Sequence, residues 1–171
     1  MTIELERTYL AKKIPDLKNC ESIEILDIYL PDEDEHPKLR VRKNGYKYEM
    51  TKKTPLDDTF SKFEEQTIEL TRDEFHSLAR LHGKRVHKIR YLYPYKGLTA
   101  EIDIFCDYLK GLAVVEFEFP DEKTKDNFKM PDFCLVEVTK DDFIAGGMLC
   151  GKKYFDIKPK LEKYNYTRLG V

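Results

Sequence analysis

A chain of 171 residues has the length of one domain and can bury a core without disulfides or structural metal. Thirty Lys and Arg against 32 Asp and Glu leave a formal charge of −2, which weighs against a general nucleic-acid binder. Charged residues reach 36%, yet 41% hydrophobic and 12% aromatic residues exclude a disordered chain.

The opening MTIELERTYL carries charge where a secretory signal would carry an apolar run, so no signal is expected. The short LAVV run at 112–115 is far below a membrane span. Cys20, Cys106, Cys134 and Cys150 stand at long, irregular gaps without a C-x-x-C pair. They read as reduced thiols of a cytoplasmic protein. We find no internal repeat or linker and treat 1–171 as a single domain.

Period-two alternation dominates. Residues 2–10, 23–30, 38–43, 46–53, 61–69, 86–93, 99–106, 112–119 and 134–139 read as strands. The first places Glu4, Glu6 and Thr8 on one face. The acidic PDEDEHP at 31–37 reads as a solvated loop. Asn44-Gly45 predicts a hairpin that sets Arg42 opposite Lys47 and Arg40 opposite Glu49. One face then carries Arg40, Arg42, Lys47, Glu49, Thr51 and Lys53. The other carries Leu39, Val41, Tyr46, Tyr48 and Met50. Leu70-Thr71-x-x-Glu74-Phe75 predicts a capping box with a hydrophobic staple and a helix stopping at Gly83. A hairpin at Lys96-Gly97 sets Arg90 opposite Asp103, joining Lys88, Arg90, Glu101 and Asp103 on one face. The strand ending at Pro120 groups Glu116 and Glu118. Short helices are expected from Asp121, after Thr139-x-x-Asp142, and from Tyr154 to Tyr164 with an interruption at Pro159. His36, His76, His82 and His87 lack metal spacing and read as surface or packing residues.

Each strand alone fits an apolar face on a core and a charged face in water. Together the charged faces carry acids and bases in pairs segregated by sign, where a solvated face would mix in more Ser, Thr, Asn and Gln. About eight antiparallel strands can close into a barrel. With the charged faces inward, the apolar faces outward need cover, which amphipathic helices can supply. The expected architecture is α+β, a closed antiparallel β-barrel of about eight strands forming a charged tunnel, with surrounding helices.

These pairs resemble the CYTH domain, or triphosphate tunnel metalloenzyme, family. IELERT resembles its N-terminal E-x-E-x-K, with Thr8 in place of the lysine. LRVRK, Thr51-Lys52-Lys53, HKIRY, EIDIF, GLAVVEFEF and VEVTKD resemble its later motifs in order, over about residues 3 to 155. The resemblance implies hydrolysis or transfer at a linear triphosphate with Mg²⁺ or Mn²⁺. Inorganic triphosphate comes first, then thiamine or nucleoside triphosphates. Arg40, Arg42, Lys53, Lys88 and Arg90 are the expected phosphate cradle, since arginine forks bind phosphate oxygens bidentately and lysine adds point charge. Glu4, Glu6, Glu101, Asp103, Glu116 and Glu118 are the expected metal carboxylates, because hard divalent cations take oxygen ligands. Glu4, Glu6, Glu116 and Glu118 are the expected catalytic set. Thr8, Glu65, Glu69 and Glu137 are further candidates. The family's tunnel-closing helix would fall near Phe143 to Tyr154, with Lys152 and Lys153 after its glycines.

Thr8 opens an alternative, a polyphosphate- or nucleotide-binding protein that lost its chemistry with the lysine. A ligand-binding barrel unrelated to phosphate is a third reading. An adenylate cyclase of the same superfamily fits less well, because that branch carries His-Phe ahead of its E-x-E-x-K and only Met1 to Ile3 stand there. No nucleic-acid or membrane partner is expected.

Overall fold

The computed structural model describes residues 2–56 and 62–170. Among the described residues nine strands form one antiparallel sheet: β1 Thr2–Ala11, β2 Glu21–Leu30, β3 Leu39–Asn44, β4 Lys47–Pro55, β5 Lys62–Leu70, β6 Lys84–Tyr95, β7 Leu98–Phe105, β8 Ala113–Glu118 and β9 Cys134–Glu137. Residue 61, the expected start of β5, lies outside the described residues. The strand order is β5-β4-β3-β2-β6-β7-β8-β1-β9, and a β5–β1 pairing closes the first eight into a barrel. One edge of β1 pairs with β8 over Glu6–Leu10. The other is divided, with β5 on Thr2–Leu5 and β9 on Tyr9–Ala11, so β9 lies outside the barrel.

Alternation sorts the strands into an interior and an exterior. Outward Tyr9, Ala100, Ile102, Val115 and Phe117 are buried with Phe133, and Phe128 packs against them. Phe128 directly follows α2 (Glu122–Asn127), which Asp121 caps by accepting from the Thr124 amide at 2.7 Å. Ile28 and Val41 bury Phe75 of α1 (Arg72–Leu78). The Thr71 hydroxyl accepts from the Glu74 amide at 3.3 Å, and the Glu74 carboxylate accepts from the Thr71 amide at 2.7 Å. This is the expected capping box. Leu70 packs on the same cluster as the staple.

Inward positions change character along the barrel. Leu10, Val86, Phe105 and Val114 share the parity of the charged residues but form an apolar layer. The chain after β9 covers that layer with Ile144, Leu149, Ile157 and Leu161. A 3₁₀ turn delivers Ile144, and two short helices, α3 (Gly146–Leu149) and α4 (Tyr154–Glu162), deliver the others. The helix expected after Thr139-x-x-Asp142 is a 3₁₀ turn over Asp142–Ile144 followed by α3. Glycines explain the break: a Cβ on Gly146 would collide with the Tyr29 hydroxyl, and one on Gly147 would lie 2.5 Å from the Pro37 carbonyl oxygen.

Three expectations need correction. The first hairpin pairs Asn44 with Lys47, Arg42 with Glu49 and Arg40 with Thr51. Its loop is Gly45-Tyr46, where Gly45 takes φ +60°, and Tyr46 is fully exposed. Each β3 residue thus meets a partner two positions later than expected, and an even shift preserves the face assignments of both strands, except that Tyr46 leaves the apolar face for the loop. Gly83 does not end α1, which caps at Ala79. Gly83 instead lets β6 start close to β2, since its Cβ would lie 2.9 Å from the Tyr29 carbonyl oxygen. Pro159 sits inside α4 without interrupting it. Tyr154, Ile157 and Leu161 bury one stripe of that helix, and this tertiary burial offsets the bond that proline cannot donate. The second hairpin has the expected register, with Arg90 opposite Asp103. Lys96 and Gly97 both take positive φ, as a type I′ turn requires.

The fit at Gly147 is directly testable. Gly147→Ala should destabilise the fold by about 1–3 kcal/mol, the usual cost of overpacking against backbone that cannot move aside. Denaturant unfolding measures it, and an unchanged midpoint would show that α3 has room against the 36–37 loop.

Candidate active site

A cavity of about 280 Å³ occupies the barrel interior. All eight barrel strands bring charge to its wall, β2 through Asp27. β1 presents Glu4, Glu6 and Thr8; β3 Arg40 and Arg42; β4 Lys53; β5 Glu65; β6 Lys88 and Arg90; β7 Asp103; β8 Glu116 and Glu118. Glu101 is not a wall residue, but one of its ligand atoms lies within 4.8 Å of atoms of Glu116 and Glu118, a three-carboxylate group that could hold a metal ion.

Two candidates are not brought in. Glu69 is exposed at the end of β5, where that strand has left β1 and pairs only with β4. It shares the inward parity but lies beyond the closed part of the barrel. Glu137 is opposite Tyr9, an outward position, and ion-pairs with Arg7 at 3.4 Å on the exterior. Lys152 and Lys153 are likewise absent from the wall.

Most wall charges are paired. Asp27, unmarked by any sequence pair, accepts from Arg42 Nε at 2.6 Å and Nη2 at 2.8 Å. Asp103 accepts from Arg90 Nε at 2.7 Å and Nη2 at 2.8 Å, and also from Lys88. Expected among the metal carboxylates, Asp103 has both oxygens engaged as a counter-ion. Lys53 Nζ is 2.6 Å from Glu6 and 3.0 Å from Glu4. Arg90 also reaches Glu101, and its Nη2 lies 3.8 Å from Glu116. Arg40 is less engaged: its nearest carboxylate contact is Glu65 at 3.9 Å, and its buried Nε has no hydrogen-bond partner.

The carboxyls fall into two sets. Burial works to raise Asp27 and Asp103, but the arginine contacts outweigh it. Asp27 is held at about 2 and Asp103 far below the ordinary carboxylate range. Glu6 is pushed up to about 8 by burial, then by Glu116, against the pull of Lys53. Burial also lifts Glu101 to about 7, against Arg90 and with Glu116. Glu118 rises through burial and the neighbouring Glu4 and Glu116. Glu116 goes down, because Lys53 and Arg90 outweigh its burial. Crowded, raised carboxyls of hard oxygen chemistry are what a divalent cation would relieve, so these residues fit such an ion.

Thr8 faces this cavity opposite Glu116. Its amide donates to the Thr139 hydroxyl at 3.0 Å, and that hydroxyl donates to Glu137 at 2.8 Å. Sequence reasoning missed Asp27, Tyr29, Thr139 and Asp142 as wall residues. Asp27 shares a strand face with Ile25 and Tyr29, so alternation marks it only as a stray acid among apolar neighbours. His36 and Lys38 also border the cavity, so the end of the 31–37 loop is less solvated than its composition suggests.

Fold and site together define a class of closed antiparallel barrels whose cavity gathers basic side chains beside clustered carboxylates. The family model for the CYTH domain matches residues 3–131, and the chain belongs to that family. It is 32% identical over 139 residues to an inorganic triphosphatase of Nitrosomonas europaea, covering 81% of this chain and 90% of that one. It is 36% identical over 73 residues to an inorganic triphosphatase of Acetivibrio thermocellus, covering 43% of this chain and 46% of that one. The crystal structure of the inorganic triphosphatase NE1496 superposes with a TM-score of 0.64 at 29% identity, covering 87% of this chain and 95% of that one.

The raised carboxyls predict a pH slope. Between pH 4.5 and about 8 the folded chain retains the Glu6 proton that the unfolded chain has released. Stability present at low pH is therefore lost as pH rises towards 8. Glu101 and Glu118 act in the same direction, while Asp27 and Asp103 titrate below this window. His36, held low by burial, gives a smaller opposite slope near pH 6.5. In chelator, the urea midpoint should fall between pH 5.5 and 8, and Glu6→Gln should flatten the fall. A level midpoint in the unsubstituted chain would show Glu6 ionised throughout.

Proposed function

We propose that this protein is a metal-dependent phosphohydrolase of linear triphosphates, with inorganic triphosphate the first substrate and Mg²⁺ or Mn²⁺ the cation. Thiamine and nucleoside triphosphates come next. The carrying observation is the convergence of Arg40, Arg42, Lys53, Lys88 and Arg90 with the glutamates of β1 and β8 on one cavity of about 280 Å³. The named activity of two relatives supports it. With four free cysteines, the protein suits a reducing compartment, and we place it in the cytoplasm.

In this reading the arginine forks and lysines bind the phosphate oxygens and fix the chain of phosphates along the wall. Glu4, Glu6, Glu101, Glu116 and Glu118 would hold the divalent cation through their carboxylate oxygens. When bound, that cation neutralises charge on the phosphate oxygens and makes a water more acidic. Lys88 differs from the other wall cations. Burial lowers its pKa, with Arg90 and Arg42 adding to the fall against Asp103, whereas those of Arg42, Lys53 and Arg90 rise. It is the wall amine best suited to take a proton from the attacking water. The new P–O bond forms as the anhydride P–O bond breaks, releasing phosphate and pyrophosphate from tripolyphosphate.

Thr8 keeps the non-catalytic binding reading open, because the position that resembles the family's lysine faces the cavity without a charge. Phosphate release from tripolyphosphate, with Mg²⁺ or Mn²⁺ and then with chelator, separates the two. Metal-dependent release is expected, and tight binding without turnover would establish the binding protein. Glu6→Gln should weaken divalent-cation binding in calorimetry while the circular dichroism spectrum persists. Unchanged metal affinity would remove Glu6 from the ligand set. Thr8→Lys adds an ammonium beside Glu116 and should lower KM for tripolyphosphate or raise kcat. If both stay put, position 8 has no part in substrate handling.

A further inference from the structure

Asp27 is an unexpected residue in a cradle for a polyanion. It is 1% exposed, in the middle of β2, directly opposite Arg42 on β3. Both residues border the cavity. An acid there repels phosphate, and an uncharged hydrogen-bond acceptor would carry no such cost. Its geometry offers a reason. Oδ1 accepts from Nε and Oδ2 from Nη2, at 2.6 and 2.8 Å, so the carboxylate grips one side of the guanidinium as a fork. A guanidinium has five N–H donors, and the fork uses two, leaving Nη1 and the second Nη2 hydrogen. The plane of Arg42 is thereby fixed before any ligand arrives.

Arg40 provides the internal contrast. It lies two residues earlier on the same face of β3 and has no such fork. Glu65 is 3.9 Å away, and its buried Nε has no hydrogen-bond partner. The strand thus presents one arginine locked by a carboxylate fork and one held only by a single hydrogen bond to the Tyr29 hydroxyl and the longer contact with Glu65.

We propose that Asp27 is a positioning residue for triphosphate binding, holding the Arg42 guanidinium in the plane that meets the phosphate oxygens. This rests on Arg42 being a phosphate ligand. Preorganisation removes an ordering cost from each binding event. The orientational gain must exceed the repulsion between the Asp27 carboxylate and the substrate.

The sign of one measurement separates this from simpler roles. Asp27→Asn should raise KM for tripolyphosphate by about tenfold or more and change kcat less, as expected for lost uniform binding. If Asp27 were only a repelling charge, the same substitution would lower KM. If it were only structural, the variant would unfold more readily with KM unmoved. Either result overturns the proposal. Arg42→Gln tests the underlying reading separately: an unchanged KM there removes Arg42 from the cradle, whatever Asp27 does. The double variant Asp27→Asn/Arg42→Gln buries no unpaired charge and remains testable even where Asp27→Asn fails to fold. Its KM should equal that of Arg42→Gln alone. A further rise over Arg42→Gln would show Asp27 acting other than through Arg42, and would also end the proposal.

Discussion

Closing a sheet with its charged faces inward forces the structure to neutralise ions away from bulk water. An isolated buried charge costs several kcal/mol, and a pair recovers that cost only with good geometry and satisfied donors. The barrel meets the constraint with short-range pairs across neighbouring strands. Asp27 meets Arg42 between β2 and β3, and Asp103 meets Arg90 between β6 and β7. Lys53 of β4 reaches Glu4 and Glu6 of β1 across β5. Strand register therefore determines not only which faces are buried but which charges can survive there. A slip of one residue would turn every one of these pairs to the outside.

The pairing is deliberately incomplete in chemical terms. Two short carboxylates, Asp27 and Asp103, are consumed by arginine and stay ionised to low pH. Of the longer carboxylates, Glu6, Glu101 and Glu118 are lifted by burial and by neighbouring carboxylates, Glu116 in every case. The first set is spent on ion pairs with arginine and lysine, and the second keeps carboxylates crowded against one another. The barrel cavity thus presents paired guanidinium groups and crowded carboxylates side by side.

The apolar layer at one end of the barrel serves the same constraint. Leu10, Val86, Phe105 and Val114 continue the inward faces but carry no charge, and the segment from Asp142 to Leu149 covers them. That cover depends on Gly146 and Gly147 meeting Tyr29 and Pro37 closely. A regular amphipathic helix over the same residues could not approach so near.

Much of this was legible in the sequence. Period-two alternation located all nine strands, because one face of each is apolar and the other charged whichever way the sheet curls. Lys96-Gly97 marked a hairpin through positive φ at both turn residues, the first hairpin kept positive φ at Gly45 but not at Asn44, and Thr71 with Glu74 marked the start of α1 through local capping. The paired spacing of Glu4 and Glu6, Arg40 and Arg42, Lys88 and Arg90, and Glu116 and Glu118 marked a common interior. Parity is a local property, and it survived the first hairpin because the pairing there differs from expectation by two residues, an even number. Tertiary structure alone decided what depends on strands far apart in the chain. Asp27 gained its role from Arg42 across the β2–β3 ladder, Asp103 became a counter-ion through Lys88 and Arg90, and Glu69 lost its place because β5 leaves β1 before reaching it. Glu137 turned outward because β9 joined the edge that β5 vacated. Alternation states which side of a strand a residue occupies, but its partners are set by register, tilt and closure, which appear only when the strands meet.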